Sequence, residues 1–192
     1  MSAQTPQLWD AEAAGFDDEP DHGLGDPSTR DAWRELLLGV LPPAPARVAD
    51  LGCGTGTLSL LLTEEGYAVD GVDFSPEMVR RATAKVPAAS FRVGDASAPA
   101  LEPAAYDVVL SRHVLWALPD PVAAFGRWVE LLRPGGRVVL VEGSWSTGAG
   151  LTAEGCEEIV RTRFADVTVT PLPEPVYWGK PITDERYLLL AR

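Results

Sequence analysis

The chain has 192 residues and a formal net charge of −12, from 16 Lys plus Arg against 28 Asp plus Glu. This length favours one domain around a single hydrophobic core, and the acidic balance excludes the basic surface that binding to nucleic acid or an anionic membrane requires. With 46% hydrophobic and 23% charged residues the composition is typical of a globular protein, so we expect a small-molecule partner.

The first segment of the chain is strongly acidic, because seven acidic residues precede the first basic residue, Arg30. A segment without Lys, Arg or an apolar run is unlike a secretory or mitochondrial signal, and no run approaches the ~18 apolar residues of a membrane span. Cys53 and Cys156 form neither a disulfide framework nor metal-ligand spacing. We therefore expect a cytoplasmic protein without a metal site.

Helix and strand patterns alternate from Pro27 onward. Asp26-Pro27 is a capping residue followed by proline at the first helical position, and apolar residues then recur at helical spacing up to Leu41. Strands that alternate with helices indicate a parallel sheet covered on both faces. The further predicted elements are strands at 47–51, 67–72, 90–93, 106–110 and 137–141, and helices that follow Gly56, Ser75, Asp120 and Thr152.

The last two strand-like runs, 164–170 and 186–191, have no predicted helix between them. Such a pair predicts an antiparallel hairpin, and hence one reversed strand in a mostly parallel sheet of an α/β fold. Ligands of these sheets bind beyond the carboxyl ends of the parallel strands. The segments expected at the site are the loop 171–185 and the turns after Leu51, Val72, Val93, Leu110 and Val141.

A glycine-rich turn, Gly52-Cys53-Gly54-Thr55-Gly56, joins the first of these strands to the following helix. Missing side chains let backbone N–H groups approach a ligand closely. The dinucleotide fingerprint would have its third glycine where Thr57 stands, and a tight turn with positive φ would explain the same glycines without any ligand. The turn alone therefore does not decide between these interpretations.

Five motif-like segments follow one another along the chain: Val48-Ala-Asp-Leu-Gly-Cys-Gly-Thr-Gly56, Gly71-Val-Asp-Phe-Ser-Pro-Glu-Met78, Val93-Gly-Asp-Ala96, Tyr106-Asp-Val-Val-Leu-Ser-Arg-His113 and Leu131-Leu-Arg-Pro-Gly-Gly-Arg-Val138. Jointly they resemble the motifs of the class I S-adenosylmethionine-dependent methyltransferases, and the segment from Trp9 to Trp33 is similar to a subgroup of small bacterial members. The resemblance implies a doubly wound, seven-stranded Rossmann-like sheet in a single domain over 1–192. Its parts would be an N-terminal helical cap at 1–46, a cofactor-binding core at 47–142 and a substrate-side loop, helix and hairpin at 143–192.

The resemblance also implies S-adenosylmethionine as the cofactor and S-adenosylhomocysteine as its product. Asp50 and the glycine turn would line the methionine moiety, and Asp73 would accept the ribose hydroxyls, as the acid of a dinucleotide site does. Asp95 would accept the adenine amino group, although an aspartate here also caps turns. The cofactor-binding residues so implied are Asp50, Gly52, Cys53, Gly54, Asp73, Phe74, Met78, Gly94, Asp95, Ala96, Ser111 and Arg112.

His113 is the candidate general base. Methyl transfer is an in-line displacement, in which positioning alone contributes roughly 7–11 kcal/mol at best, so a base is needed only when the nucleophile arrives protonated. An unperturbed imidazole pKa of about 6.5 suits that proton transfer. The alternative is that His113 is a structural residue whose ring is hydrogen-bonded to the backbone.

Aromatic residues are frequent in the segments expected around the pocket. Aromatic walls exclude water and hold a cation at roughly 0.5–2 kcal/mol per ring, which favours a flat or cationic small-molecule acceptor. The alternative is that these rings fill the core of the cap. The predicted acceptor-binding residues are Trp9, Phe16, His113, Trp116, Trp145, Tyr177 and Trp178.

The leading hypothesis is methyl transfer to an oxygen, nitrogen or sulfur nucleophile by a monomer or homodimer. One alternative is a cofactor-binding protein with no turnover, or with a non-methyl reaction such as cyclisation of the cofactor's aminobutyrate chain. A nicotinamide-dependent dehydrogenase is disfavoured by the glycine spacing and by the Asp95 motif. Ser111-Arg112-His113 replaces the Asn-Pro-Pro-Tyr sequence that methylation of a DNA base or glutamine amide would use.

The acidic N-terminal segment gives a further hypothesis. It is predicted to fold over a cationic cofactor whose product has lost the sulfonium charge. The acidic cap would then attract the cofactor and release the product. The residues named for this effect are Asp17, Asp18, Glu19 and Asp21.

Overall fold

The computed structural model of the chain describes residues 5–192. Two 3₁₀ turns cover Phe16–Asp18 and Leu115–Ala117. The α-helices are α1 Pro6–Glu12, α2 Pro20–Gly23, α3 Pro27–Val40, α4 Thr57–Glu64, α5 Pro76–Lys85, α6 Pro121–Val129, α7 Ala153–Arg161 and α8 Pro175–Trp178. The strands are β1 Arg47–Leu51, β2 Ala68–Asp73, β3 Ser90–Val93, β4 Tyr106–Arg112, β5 Leu132–Ser144, β6 Val167–Pro171 and β7 Glu185–Ala191.

The strands form one seven-stranded sheet in the order β3-β2-β1-β4-β5-β7-β6. β7 runs antiparallel to both β5 and β6, while β1 to β5 pair in parallel, so the predicted mostly parallel sheet with one reversed strand is confirmed. From β1 the strands β2 and β3 follow toward one edge of the sheet, and β4 and the later strands lie toward the other edge, so the strand order reverses between β1 and β4. Ligands bind at such a switch point, beyond the carboxyl ends of the strands.

Four helices begin where the sequence predicts, because a polar side chain at each start accepts a backbone N–H bond three residues later. These capping residues are Asp26, Ser75, Asp120 and Thr152, and each cap contributes about 1 kcal/mol. The expectation of no helix between β6 and β7 is wrong. The short α8 lies there, with Pro175 at its start and the left-handed Gly179 at its end, and it is too short to show a helical period.

The core has two parts, one on each face of the sheet, and successive residues along a strand point alternately to one face and the other. Val48 and Leu110 face α3, α4 and α8, where Trp33 and Trp178 are fully buried. Leu51 and Val109 face the opposite cluster under α6 and α7. Asp50 and Arg112 follow Val48 and Leu110 by two residues and therefore project on the α3–α4 face.

α1 and α2 lie over the carboxyl ends of the strands, whereas α3 packs on a face of the sheet. α1 packs against α5, where Asp10 Oδ1 accepts bonds from Ser75 Oγ at 2.6 Å and from Glu77 N at 3.0 Å. Within residues 5–192 no helix is both long and apolar enough to cross a bilayer. Over the same range, no three His, Cys, Asp or Glu side chains are grouped so that they could hold a metal ion.

Candidate functional site

A cavity of about 600 Å³ opens at the carboxyl ends of β1, β2 and β4, beneath the N-terminal helices. Most of the residues predicted for the cofactor and the acceptor lie on its wall. On the strand and glycine-turn side these are Asp50, Gly52, Cys53, Gly54, Asp73, Phe74, Met78, Asp95, Ala96 and Arg112. On the other side they are Trp9, Phe16, His113, Trp116 and Trp145.

The glycine turn requires glycine at its first position. Gly52 has φ +73°, and a Cβ there would lie 2.2 Å from Val114 Cγ2 in the segment after β4. The Gly52 and Cys53 N–H groups both donate to Val72 O, at 2.8 and 3.0 Å, which ties the turn to β2. Only a residue without a side chain permits this close approach of the ends of β1 and β4.

Two carboxylates lie beside this turn. Asp73 accepts hydrogen bonds from Gly54 N and Ser75 N, each at 2.9 Å, and remains 7% exposed, so both of its oxygens keep free acceptor capacity at the cavity. Asp50 accepts a bond from Ser59 Oγ at 2.6 Å. Burial raises the pKa of Asp50 to about 6 and also raises the pKa of Asp73. A cationic ligand in the cavity would offset that burial cost.

Asp95 and Met78 combine a structural role with a place on the cavity wall. Asp95 Oδ1 accepts a bond from Ser97 N at 2.7 Å, which is the turn-capping alternative, and its side chain also lines the cavity. Met78 is 1% exposed and contacts the cavity at its edge. The next residue after Asp95, Ala96, accepts a bond from Trp128 Nε1 through its carbonyl at 2.7 Å and also lines the cavity.

Two predicted cofactor residues lie away from the cavity. Ser111 is fully buried and its Oγ donates to Leu51 O at 2.8 Å, because it follows Val109, which faces the α6–α7 side of the sheet, by two residues. Gly94 donates its N–H to Asp73 O at 2.9 Å and supports the end of β2. Both stabilise strand ends and neither is on the cavity wall, so their part in binding the cofactor stays a prediction without support from this geometry.

Tyr177 and Trp178, predicted to bind the acceptor, also lie behind the cavity wall rather than on it. Trp178 is fully buried, donates from Nε1 to Leu172 O at 2.8 Å and packs edge-on against Trp33 with 5.6 Å between ring centroids. Tyr177 O accepts a bond from Trp33 Nε1 at 2.8 Å. These rings fill the core between α3 and α8, which was the alternative interpretation of the aromatic residues.

The segment over the cavity is attached to the glycine turn through Asp17. Its carboxylate contacts Lys85 Nζ at 2.6 Å and accepts a bond from Thr55 Oγ1 at 2.5 Å. Lys85 also donates to Thr55 and Thr57. Of the four acidic residues named for attraction of the cofactor, Asp21 lines the cavity and is 9% exposed, whereas Asp18 and Glu19 are exposed.

Replacing Lys85 with methionine should release this attachment and raise the dissociation constant of a ligand enclosed beneath it by roughly threefold to tenfold, since the lost charge-assisted bonds are partly exposed. S-adenosylhomocysteine is the probe, and stopped-flow dissociation should become faster by a similar factor. Arg80→Met on the same helix removes an exposed ion pair to Glu77 and is the matched control. Equal dissociation rates in the two variants would contradict the role of Lys85.

His113 has an unusual backbone conformation directly after β4. Its φ is +60°, a conformation that costs a non-glycine residue about 1–3 kcal/mol and often marks a functional residue. Its N–H donates to Val141 O at 2.8 Å. The ring packs edge-on against Trp145 with centroids 5.1 Å apart, and Nε2 is buried without a hydrogen-bond partner in the part of the chain described.

Burial lowers the pKa of His113 well below 6.5, and the nearby charge of Arg112 adds to the effect. The imidazole is therefore neutral at physiological pH. A buried ring nitrogen without a partner is rare in structural histidines. The ring is thus available to an acceptor group that donates a hydrogen bond.

Sequence analysis did not single out Glu142, which supports the same segment from below. It is fully buried on β5, and its Oε1 accepts bonds from Val114 N at 3.1 Å and Leu115 N at 2.8 Å. Burial raises the pKa of Glu142 to about 8. A lone carboxylate after the apolar run 138–141 was the available signal, because such a residue is buried only when polar groups meet it.

Glu142→Gln should flatten the dependence of stability on pH. Above its usual pKa of 4.5, Glu142 ionises in the unfolded chain but stays protonated in the folded protein up to about pH 8. The contribution of Glu142 to the free energy of unfolding is therefore fully present at low pH and falls by about 1.4 kcal/mol per pH unit across that window. Urea unfolding at several pH values across the window measures this free energy, with Glu130→Gln at an exposed site as the control. Parallel pH profiles for wild type and Glu142→Gln would contradict the prediction.

Two arginines line the cavity at different places. Arg112, beside Asp50 on the strand side, donates from Nη1 to Asp21 O at 2.7 Å. Arg186 lies on the acceptor side, with its Cζ 5.1 Å from the ring centroid of Trp145 and 4.9 Å from that of Trp178. The aromatic faces predicted to hold a cationic acceptor thus already hold a cation of the chain itself, so this geometry does not support a cationic acceptor.

Comparison with known proteins agrees with this architecture. Residues 49–140 match the model of a family described as a methyltransferase domain. An uncharacterized methyltransferase of Mycobacterium tuberculosis is 37% identical over 141 residues, which cover 73% of this chain and 58% of that protein. The chain spans about half the length of the curated relatives that it matches.

Two solved structures share the fold. A TehB-like methyltransferase from Corynebacterium glutamicum, described as dependent on S-adenosylmethionine, has a TM-score of 0.68 at 22% identity, covering 96% of this chain and 94% of its own. SpnF, described as a cyclase, has a TM-score of 0.72 at 18% identity, covering 84% of this chain and 80% of its own. At these identities the likeness establishes the fold alone.

Proposed function

The chain belongs to the class I S-adenosylmethionine-dependent methyltransferase family, and from this premise we propose that it transfers a methyl group from S-adenosylmethionine to a small, flat acceptor. The observation that carries the proposal is the division of one cavity into two unlike halves. One half has buried carboxylates around a glycine turn, and the other has His113 and tryptophans.

The first half fits the cofactor. Asp73 keeps acceptor capacity for two ribose hydroxyls. The ring of Phe74 and the side chain of Met78 would border the adenine base, and the carboxylate of Asp95 would accept a bond from the amino group of that base. Asp50 gives a negative charge close to the glycine turn, where a cationic chain would lie. When bound, S-adenosylmethionine supplies an electrophilic methyl group on a positively charged sulfur.

The second half would position the acceptor. Trp116 and Trp145 lie with centroids 5.3 Å apart at a tilt of 57°, and Trp116 Nε1 donates to His113 O at 3.0 Å, which fixes the wall relative to His113. A flat molecule held there is confined, and confinement in near-attack geometry supplies much of the acceleration of such a displacement. His113, neutral and without a partner at Nε2, would accept a hydrogen bond from the nucleophile and take its proton as the methyl group is transferred. Its lowered pKa makes it a weaker base than the free imidazole that the sequence predicts.

A screen of amines, phenols, thiols and carboxylates with methyl-labelled cofactor, analysed by mass spectrometry, tests this function. We expect label in one acceptor class together with an equal amount of S-adenosylhomocysteine. A cofactor that is cyclised without label in any acceptor would instead support a non-methyl reaction of the same site. Cofactor binding without any turnover would support a binding protein.

A further inference from the structure

Arg186 is a buried cation that the proposed chemistry does not use. Its side chain is 8% exposed and lines the cavity, and its Nε has no hydrogen-bond partner among residues 5–192. Its Nη2 donates to Asp184 Oδ2 at 3.3 Å. A buried guanidinium with an unmet N–H group lowers stability unless something else meets that group, so the arrangement points to a ligand.

The backbone directs this guanidinium across the sheet toward the acceptor half of the cavity. Arg186 on β7 pairs with Gly143 on β5, and a Cβ built on Gly143 would lie 2.5 Å from Arg186 Cδ. Glycine is therefore required opposite Arg186 so that the arginine's stem can cross β5. Beyond β5 lies β4, whose end carries Arg112 and His113.

The unmet N–H group indicates the kind of group that Arg186 can bind. Its Cζ lies 5.1 Å from the ring centroid of Trp145 and 4.9 Å from that of Trp178, and a guanidinium donates its hydrogen bonds along its edges. The Nε–Nη2 edge matches the two oxygens of a carboxylate. Asp184 accepts a bond from Nη2 alone and is itself held by Ser146 N at 2.7 Å, so the buried Nε–H keeps its donor capacity for a second carboxylate.

The position of Arg186 favours the acceptor over the cofactor as the source of this carboxylate. Arg112 lies on β4, next to β1 and Asp50, and is the arginine within reach of the cofactor's amino-acid end. Arg186 approaches from β7, with β5 and β4 between it and β1. It meets the cavity at Trp145, on the acceptor side.

We propose that Arg186 binds a carboxylate that anchors the methyl acceptor, so that the substrate is a flat organic acid methylated at a second, protonated group. The statement that the bound acid is methylated rests on the proposed function. The anion site beside Trp145 does not, because binding there can be tested without turnover.

Isothermal titration calorimetry of the protein saturated with S-adenosylhomocysteine provides the test. The probes are benzoate and indole-3-acetate, each against its uncharged amide. We expect both acids to bind about tenfold or more tightly than the amides, in keeping with a charge-assisted pair. Arg186→Gln should remove the difference, and Arg186→Lys should restore part of it. Arg192→Gln, which breaks an exposed ion pair to Asp166, should change nothing.

Asp184→Asn tests the same site with little risk to folding, because asparagine can still accept the bond from Ser146 N. It removes the competing charge and should tighten binding of both acids, a result that a purely structural Arg186 would not give. Equal or absent binding of acid and amide in the wild type overturns the proposal. So does weaker S-adenosylhomocysteine binding in Arg186→Gln, which would assign Arg186 to the cofactor. Failure of wild-type protein to bind S-adenosylhomocysteine would instead contradict the proposed function.

Discussion

Asp73→Ala should raise the dissociation constant for S-adenosylhomocysteine by a factor of roughly 100 to 10,000. A buried carboxylate that accepts two hydroxyl hydrogen bonds contributes about 1.5–3 kcal/mol through each of them. Asp73 is the carboxylate on the cavity wall with free acceptor capacity beside Gly54. Isothermal titration calorimetry measures the change directly.

Asp70→Ala is the matched control for this variant. Asp70 lies on the same strand, but its carboxylate accepts bonds from Arg47 Nε and Tyr106 Oη, each at 3.0 Å, away from the cavity. Because Asp73 also holds Gly54 N and Ser75 N, thermal unfolding of each variant should be recorded with the titration. A folded Asp73→Ala variant with wild-type affinity would contradict the assignment to the ribose.

His113→Ala should lower kcat by about 10²–10⁴ for an acceptor whose nucleophile arrives protonated, the range typical of a lost general base. The dissociation constant for S-adenosylhomocysteine should stay unchanged. Single-turnover kinetics with the acceptor found by the screen separates chemistry from product release.

His113→Asn is the companion variant, because asparagine tolerates the left-handed backbone of this position better than alanine does. It should fold like the wild type and be as slow as His113→Ala. Wild-type kcat in either variant would show that His113 only shapes the wall, as a structural residue would.

The parts of the fold that were predictable are those with local causes. Ser75 caps α5 through a bond to Met78 N at 3.1 Å, and both residues lie within one turn, so the sequence carries the whole signal. α8 was missed because a segment of 4 residues is too short to show a helical period. For the same reason the resemblance implies a helical cap over 1–46 without giving the bounds of α1 and α2.

The direction of side chains at the site depended on contacts between distant segments. Trp178 lies in the loop that the sequence placed near the cavity, yet it turns inward because Trp33, far away in the chain, provides its packing surface. Arg186 stands in a charged triplet, Asp184-Glu185-Arg186, for which the sequence alone predicts no single role. Its actual course depends on the pairing with Gly143, and a sequence does not reveal an antiparallel register of this kind.

Calorimetric titration of the wild-type protein with S-adenosylhomocysteine, S-adenosylmethionine and NAD tests the central claim that this cavity is a site for S-adenosylmethionine. We expect saturable one-to-one binding of both sulfur compounds, lost in Asp73→Ala, and no heat with NAD. Binding of NAD, or no binding of S-adenosylhomocysteine by the folded protein, would contradict it.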